Sequence, residues 1–405
     1  METLRWSWRN LWRNTARTAI TLAGAAFSTA ILIATFALMD GLMVHAVSNI
    51  TNLSLGEVQA HAPGYLTDRS LYKSLPDPDA LLAAAERQGV AAAARRLGDG
   101  LIAFENQSAG ALFWGVDPAR ERAAFTLAAH VAEGRFLADA PGGEVVLGRQ
   151  LARSLGVTVG AEVVVVVQAA DGSLGNDLFT VAGILQSADD EIDRGGALIH
   201  QDDFVRLFVS GDRVHEVAFN SRGRMPIEAL QQILQRAAPG ADVQTWRGLR
   251  PTFADMVTLM DGFIWVFGLI FGLAAGLGVT NTMLMATHER VREFGLVKAL
   301  GGTPGRIVRD VTVEASLLAA AGIALGVALG VLGALYLQRH GIDTSRWAGG
   351  FSVGGVAFDP VWRAALTARG VFVPVVVMFV AAILPSLYPA GVAARLDPVH
   401  AMNRV

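Results

Sequence analysis

The chain has 405 residues, 52% of them hydrophobic, a mean hydropathy of +0.42 and only 17% charged residues, against about 25% in soluble domains. That balance points to a membrane protein with a sizeable soluble part. The formal net charge of −3 hides an uneven distribution and gives no reason to expect a nucleic acid as partner, while the absence of cysteine excludes disulfides, cysteine-ligated zinc and a cysteine nucleophile.

In chain order, residues 1–17 predict a cytoplasmic interfacial helix. Arg5, Arg9, Arg13 and Arg17 recur every four residues, with Leu4, Trp8, Leu11 and Trp12 beside them. Arginines reach headgroup phosphates and tryptophans favour the membrane interface, so Arg5, Trp8, Arg9, Trp12 and Arg13 are candidate anchors to membrane lipid. Residues 18–39 follow as the first uncharged run and read as a retained signal anchor. Its apolar stretch exceeds that of a cleaved signal peptide, and no small-x-small cleavage site follows.

Residues 40–261 predict an α+β domain with helical stalks at both borders. Strand signals fall at Glu144–Leu147, Glu162–Gln168, Asp177–Leu185 and Ala241–Trp246. The turn-rich Asp171-Gly172-Ser173 between two of these runs predicts a hairpin. Helix signals fall at Gly148–Leu155, closed by Gly156, and at Pro226–Ala237, with Ile227, Leu230, Ile233 and Leu234 on one side. Asp40-Gly41 offers an interruption of the first span, but Leu42, Met43 and Val47 continue an apolar face. Asp189, Asp190, Glu191 and Asp193 cluster in an outer loop. Four carboxylates can ligate a divalent cation, but the pattern reads as a solvated loop, and no metal is expected.

Three further uncharged runs predict spans at 262–287, 315–338 and 370–394. Even the shortest of the four runs reaches about 33 Å, enough for the hydrocarbon core. Between them lie a charged loop at 288–314, an outer loop at 339–369 and a tail at 395–405. The densest basic segments are 5–17 and the 288–314 loop, which carries Arg290, Arg292, Lys298, Arg306 and Arg309. The positive-inside rule puts both in the cytoplasm, and with them both termini. Glycines repeat at spacing four in the second span (Gly268, Gly272, Gly276) and the third (Gly322, Gly326, Gly330). Such ladders let helices approach closely, within one chain or between subunits. Glu314, where the third span begins, reads as an interfacial residue or the partner of a loop arginine.

Catalytic signatures are missing. Gly301-Gly302-Thr303-Pro304-Gly305-Arg306 lacks the Lys and hydroxyl of a phosphate loop, and His215-Glu216 and His288-Glu289 lack the second His of a zinc-protease motif. The chain is not expected to be an enzyme by itself. The loop instead alternates charged Arg290, Arg292, Glu293 and Lys298 with apolar Val291, Phe294, Leu296, Val297 and Leu300. Such a segment, with Phe294 and Gly295 at its centre, can place an aromatic anchor in a partner's groove.

Three stretches carry a family resemblance. WRNLWRNTARTAITLAG (Trp8–Gly24), HERVREFGLVKALGGTPGRIV (His288–Val308) and YPAGVAARLDPVHAM (Tyr388–Met402) resemble the FtsX-like permeases of ABC transporters, the group with the LolC/LolE lipoprotein-releasing subunits and the membrane part of MacB. WGVDPARERAAF and EVVLGRQLARSLGVTVGAEVVVV, followed by FTVAGIL, resemble the periplasmic core domain of that group. The resemblance implies a four-helix membrane protein with a MacB-like periplasmic domain between the first and second spans, in the bacterial inner membrane.

It implies partnership with two copies of a separate ABC ATPase, which would bind the ATP and Mg, and with a second permease in a homodimer or heterodimer. It makes the charged loop the ATPase-contacting element, with Glu289, Arg290, Arg292, Glu293, Phe294, Gly295, Lys298, Ala299 and Gly301 as its candidate residues. No fused ATPase domain accompanies this chain, in the manner of LolC and LolE. The leading function is therefore release of lipoproteins, or another lipid-linked substrate, from the outer leaflet, with a periplasmic carrier downstream. Phe36, Met39, Met43, Met260, Phe263 and Phe267 are the candidate substrate cavity between the first and second spans. The alternatives are MacB-like efflux with an adaptor and channel, and FtsX-like activation of a cell-wall hydrolase without transport.

Overall fold

The computed structural model describes residues 15–186, 189–345, 352–353, 356–357 and 361–395. The expected interfacial anchors Arg5, Trp8, Arg9, Trp12 and Arg13 and most of the tail lie outside the described residues. The chain divides into a helical unit (residues 1–44, 257–349 and 360–405) and a domain formed chiefly by His45–Met256.

Four helices are long and apolar enough to cross a membrane. The first spans Thr15–Ile50, the second Pro251–Glu289, the third Pro304–His340 and the fourth Ala368–Ala394. Asp40-Gly41 does not interrupt the first, because the surrounding turns keep their apolar residues and backbone bonding. The helix closes in a π-helical turn at Thr51–Leu55. The third helix starts at Pro304, ahead of the uncharged run. Proline suits this first helical position, where a backbone N–H would have no partner.

One apolar core draws on all four helices, with Leu32 and Phe36 from the first, Ile264 and Val279 from the second, Ala315 and Leu318 from the third, and Met378 and Ala382 from the fourth. Both glycine ladders serve packing inside the chain. A Cβ on Gly322 would stand 2.7 Å from the Ala25 Cβ, and one on Gly330 2.9 Å from the Ile33 Cβ, so the third helix lies backbone-close to the first. Gly272 and Gly276 receive Ala381 and Pro385 of the fourth helix against the second in the same way.

The domain is built on a mixed sheet. In chain order its strands are β1 (Val58–His61), β2 (Ala91–Phe104), β3 (Gln107–Val116), β4 (Val131–Gly134), β5 (Glu144–Leu147), β6 (Glu162–Gln168), β7 (Leu174–Leu185), β8 (Gly196–His200), β9 (Glu216–Asn220) and β10 (Asp242–Thr245). They run in the order β10-β1-β9-β2-β3-β8-β5-β7-β4, with β6 pairing β2 and β7. β6 shows why this sequence makes a strand. Val163, Val165 and Val167 are buried on one face while Glu162, Val164 and Gln168 are exposed on the other. β6 and β7 form the expected hairpin, which starts earlier than the sequence signal, at Leu174.

Helix Arg149–Leu155 ends in the left-handed cap at Gly156 (φ 71°), which spares the helix end a Cβ clash. Together with Gln201–Phe208 it covers the core around Phe113, Val145, Val165 and Phe179. Helices Pro78–Arg87 and Ile227–Ala237 cover a second core on β1, β9 and β10. Within residues 339–369, Ile342–Asp343 pairs with Val361–Trp362 and Ser352–Val353 with Val356–Ala357.

Candidate functional site

Three arrangements stand out: a short helix between the second and third long helices, a cavity among the long helices, and a buried ion network in the domain.

The short helix is Val291–Ala299, and Arg290 breaks it from the second long helix with non-helical torsions (φ −111°, ψ 16°). Its amphipathic pattern does not present Phe294 outward as an anchor. Phe294 is only 6% exposed and packs on Ile307 and Val311 of the third helix and Ala390 and Ala393 of the fourth. Gly295 is buried beside it. The correction has a simple cause: an amphipathic helix lays its larger apolar side chain on the adjoining bundle, and periodicity alone does not say which apolar face goes inward.

What the helix exposes is Arg292, Glu293, Leu296, Ala299, Leu300 and, beyond it, Gly301, with Leu296 54% and Leu300 80% exposed. Glu289 is exposed at the end of the second helix. Arg290 donates from Nε to Glu293 (2.9 Å) and from Nη1 to Glu314 (2.8 Å), and its guanidinium lies 5.2 Å from the Phe294 ring centroid. Lys298 Nζ donates to the Ala394 carbonyl at 2.5 Å. Glu314 is thus the partner of a loop arginine.

The cavity, of about 260 Å³, is lined by Met39, Asp40, Met43 and Val44 of the first helix, by Val257, Met260, Asp261 and Ile264 of the second, and by Thr367 and Arg369 where the fourth begins. Three of the six expected cavity residues, Met39, Met43 and Met260, line it. The other three do not. Phe36 is locked in the bundle core, while Phe263 and Phe267 lie on the exposed side of the second helix. A helix offers about one face in three to a given neighbour, and the phenylalanines fall off that face. Polar groups rim the cavity: Thr367 Oγ1 donates to Asp40 Oδ2 at 2.6 Å, and Arg369 reaches Asp261 at 3.4 Å.

The third arrangement was not legible in the sequence. Arg95 on β2 is fully buried and donates to Glu121 (2.6 and 3.2 Å) and to Glu216 on β9 (2.7 Å). Its guanidinium stacks between Trp114 (5.0 Å) and Phe125 (4.6 Å). Glu216 also bonds the His61 ring at 3.2 Å. Burial alone would raise the Glu216 carboxyl, but the hydrogen bond from His61 and the Arg95 charge outweigh it and hold the group down at about 2. Next to this lies a small polar cavity of about 70 Å³ between His61, Tyr65, Trp114, Asp189 and Arg250.

The acidic cluster is therefore not a solvated loop. Asp190–Gly195 form a short helix capped by Asp189, which is buried, and Arg250 reaches both Asp189 (3.2 Å) and Glu191 (3.0 Å). Burial raises the Asp189 carboxyl despite Arg250. Among the described residues no group of His, Cys, Asp and Glu is placed to hold a metal ion.

Removing one member of a buried charge network leaves the others uncompensated, a loss of about 3–5 kcal/mol. Arg95→Ala is accordingly expected to lower the thermal stability of the domain more than any single surface charge removal, as read by thermal unfolding. The depressed Glu216 carboxyl adds a pH dependence. Its contribution is complete above the ordinary carboxyl value of 4.5 and is lost as pH falls toward about 2. The protection of the β9 amides against hydrogen exchange, relative to their intrinsic rates, should fall across that interval, and to a smaller extent in Glu216→Gln.

Four apolar helices carrying an α+β domain between the first and second define the permease type of membrane subunit. The family model for the MacB-like periplasmic core domain matches residues 18–248, and that for the FtsX-like permease C-terminal region matches residues 265–394. The chain belongs to the MacB/FtsX family of ABC-transporter permeases, and its helices and periplasmic-type domain fit a multi-pass inner-membrane protein. It is 28% identical over 179 residues to the macrolide export ATP-binding/permease protein MacB of Escherichia coli strain K12, a stretch covering 44% of this chain and 25% of that protein. The corresponding protein of Shigella flexneri matches with the same figures. The chain thus spans about a quarter of the length of these relatives.

Among solved structures it is similar to the periplasmic region of MacB from Actinobacillus actinomycetemcomitans (13% identity, 52% of this chain and 98% of that one, TM-score 0.37). It is also similar to the extracellular domain of the noncanonic ABC-type transporter YknZ from Gram-positive bacteria (12% identity, 46% and 98%, TM-score 0.34).

Proposed function

We propose that this chain is the membrane subunit of an ABC transporter that uses ATP hydrolysis by a separate ATPase to release lipoproteins, or another lipid-linked substrate, from the outer leaflet of the inner membrane. Two ATPase copies bind ATP and Mg and dock on the short helix of this chain and of a second permease. Both termini and the short helix are cytoplasmic, and the domain is periplasmic, where a carrier accepts the released substrate. The basic residues Arg290, Arg292, Lys298, Arg306 and Arg309 support that orientation.

The observation that carries the substrate class is the cavity among the first, second and fourth helices, lined by Met39, Met43 and Met260. Unbranched thioether side chains adapt to apolar bodies of variable shape such as acyl chains, and the rim residues Asp40, Thr367, Asp261 and Arg369 offer polar and charged groups to a headgroup.

A second reading, efflux of periplasmic substrates with an adaptor and an outer-membrane channel, is favoured by the identity to the macrolide exporters. Depletion of the chain separates the two. The first reading expects outer-membrane lipoproteins to accumulate in the inner membrane. Normal sorting together with raised drug sensitivity would replace it with the second, and normal sorting with a cell-separation defect would point to activation of a cell-wall hydrolase.

A further inference from the structure

We propose that Glu314 and Lys298 are positioning residues that fasten the short helix to the third and fourth long helices, so that ATP-driven motion reaches the first and second helices through two glycine-tight seams. The proposal rests on the docking of an ATPase at the short helix.

The short helix follows the second long helix in sequence, with a break in the helical torsions at Arg290, and its Arg290, Phe294 and Lys298 side chains reach the third and fourth helices. Its buried aromatic, Phe294, sits among Ile307, Val311, Ala390 and Ala393, all on the third and fourth helices. Arg290 reaches Glu314 on the third helix at 2.8 Å. Lys298 caps the fourth helix through the Ala394 carbonyl at 2.5 Å, where terminal carbonyls lack helical donors and the helix dipole favours a cation. A push on the exposed Leu296 and Leu300 is therefore delivered to the third and fourth helices.

These helices in turn grip the other two. A Cβ on Gly326 would stand 2.5 Å from the Thr29 Cβ and 2.6 Å from the Ala26 carbonyl oxygen, so the third helix has no slack against the first. Gly276 on the second helix is equally tight against the Ala381 carbonyl of the fourth, and Pro385 lies 3.1 Å from the position its Cβ would take. Close-packed seams of this kind shift as units and do not yield gradually. The first helix runs into the domain at His45, and the chain leaves the domain at Met256 into the second. Motion thus has two parallel routes, from the short helix by the third to the first and by the fourth to the second.

The absence of cysteine permits a direct test. Spin labels at Val44→Cys and Leu259→Cys, both exposed positions toward the domain side of the first and second helices, report their separation. The full chain is placed in lipid nanodiscs with the ATPase that co-purifies with it, and the distance is measured by pulsed EPR before and after ATP with orthovanadate. The expected result is a nucleotide-dependent shift in the otherwise unsubstituted chain. The shift is lost in Glu314→Gln, ATPase affinity is unchanged, and Glu314→Asp, which keeps the charge, retains the shift. A full shift in Glu314→Gln overturns the proposal. Loss of ATPase affinity in that variant overturns it as well, by making Glu314 part of the docking surface. No shift in the unsubstituted chain, or no associated ATPase, defeats the docking reading itself and this inference with it.

Discussion

Gly326→Leu is expected to prevent the first and third long helices from packing, and with them the bundle from assembling. Even a methyl group at this position would stand 2.5 Å from the Thr29 Cβ and 2.6 Å from the Ala26 carbonyl oxygen. Neither neighbour can give way. Thr29 is fully buried with its hydroxyl donating to the Ala25 carbonyl at 2.7 Å, and the Ala26 oxygen is backbone. Forcing extra groups into a packed interior costs about 1–3 kcal/mol for modest insertions, and more where backbone must separate. Gly326→Ala should therefore lower the thermal midpoint in detergent, and Gly326→Leu should leave little folded chain in the membrane. Gly333→Leu supplies the control, because nothing lies within 4 Å of the Cβ it would add. Equal loss at both positions would show that the effect comes from helix propensity or insertion and not from the seam.

The second large effect concerns the short helix. Leu296→Asp with Leu300→Asp is expected to abolish ATPase association while the chain remains folded. These leucines are 54% and 80% exposed and sit with Arg292 and Glu293, so they form the apolar centre of a charged surface. Hot-spot side chains cost about 2 kcal/mol or more each when removed, which for the pair is roughly a thousandfold in affinity if the terms add. Phe294→Ala behaves differently. It removes a buried aromatic from the cluster with Ile307, Val311 and Ala390, at about 3–5 kcal/mol, and loosens the helix from the bundle. Association measured beside thermal stability separates the two. The leucine pair should lose binding with stability intact, and Phe294→Ala should lose stability first.

Much of the architecture was legible because its signals are local. Long uncharged runs mark the spanning helices, alternating valines mark β6, and Gly156 marks the end of a helix. The glycine ladders were equally visible, but not their partners. The residues that fill them, Ala25, Thr29 and Ile33 on one helix and Ala381 and Pro385 on another, are ordinary apolar positions far away in sequence. The ion network was invisible for the same reason. Arg95 sits in an alanine-rich strand, and only the β2–β9 register, which sets Arg95 opposite Glu216, brings the charges together. The acidic run at 189–193 looked solvated because its counter-charges, Arg69 and Arg250, lie at remote points of the chain. Phe294 was misread in direction and not in kind, since an amphipathic pattern specifies two faces without saying which one meets the protein.

The central claim is that the exposed face of the short helix docks an ATPase. A photo-crosslinking amino acid placed at Leu300, the most exposed apolar residue of that face, tests it in intact cells. The account predicts one dominant adduct with an ATP-binding protein, lost when Leu296→Asp is added. Adducts with lipid alone, or none in a chain that is folded and inserted, would contradict it.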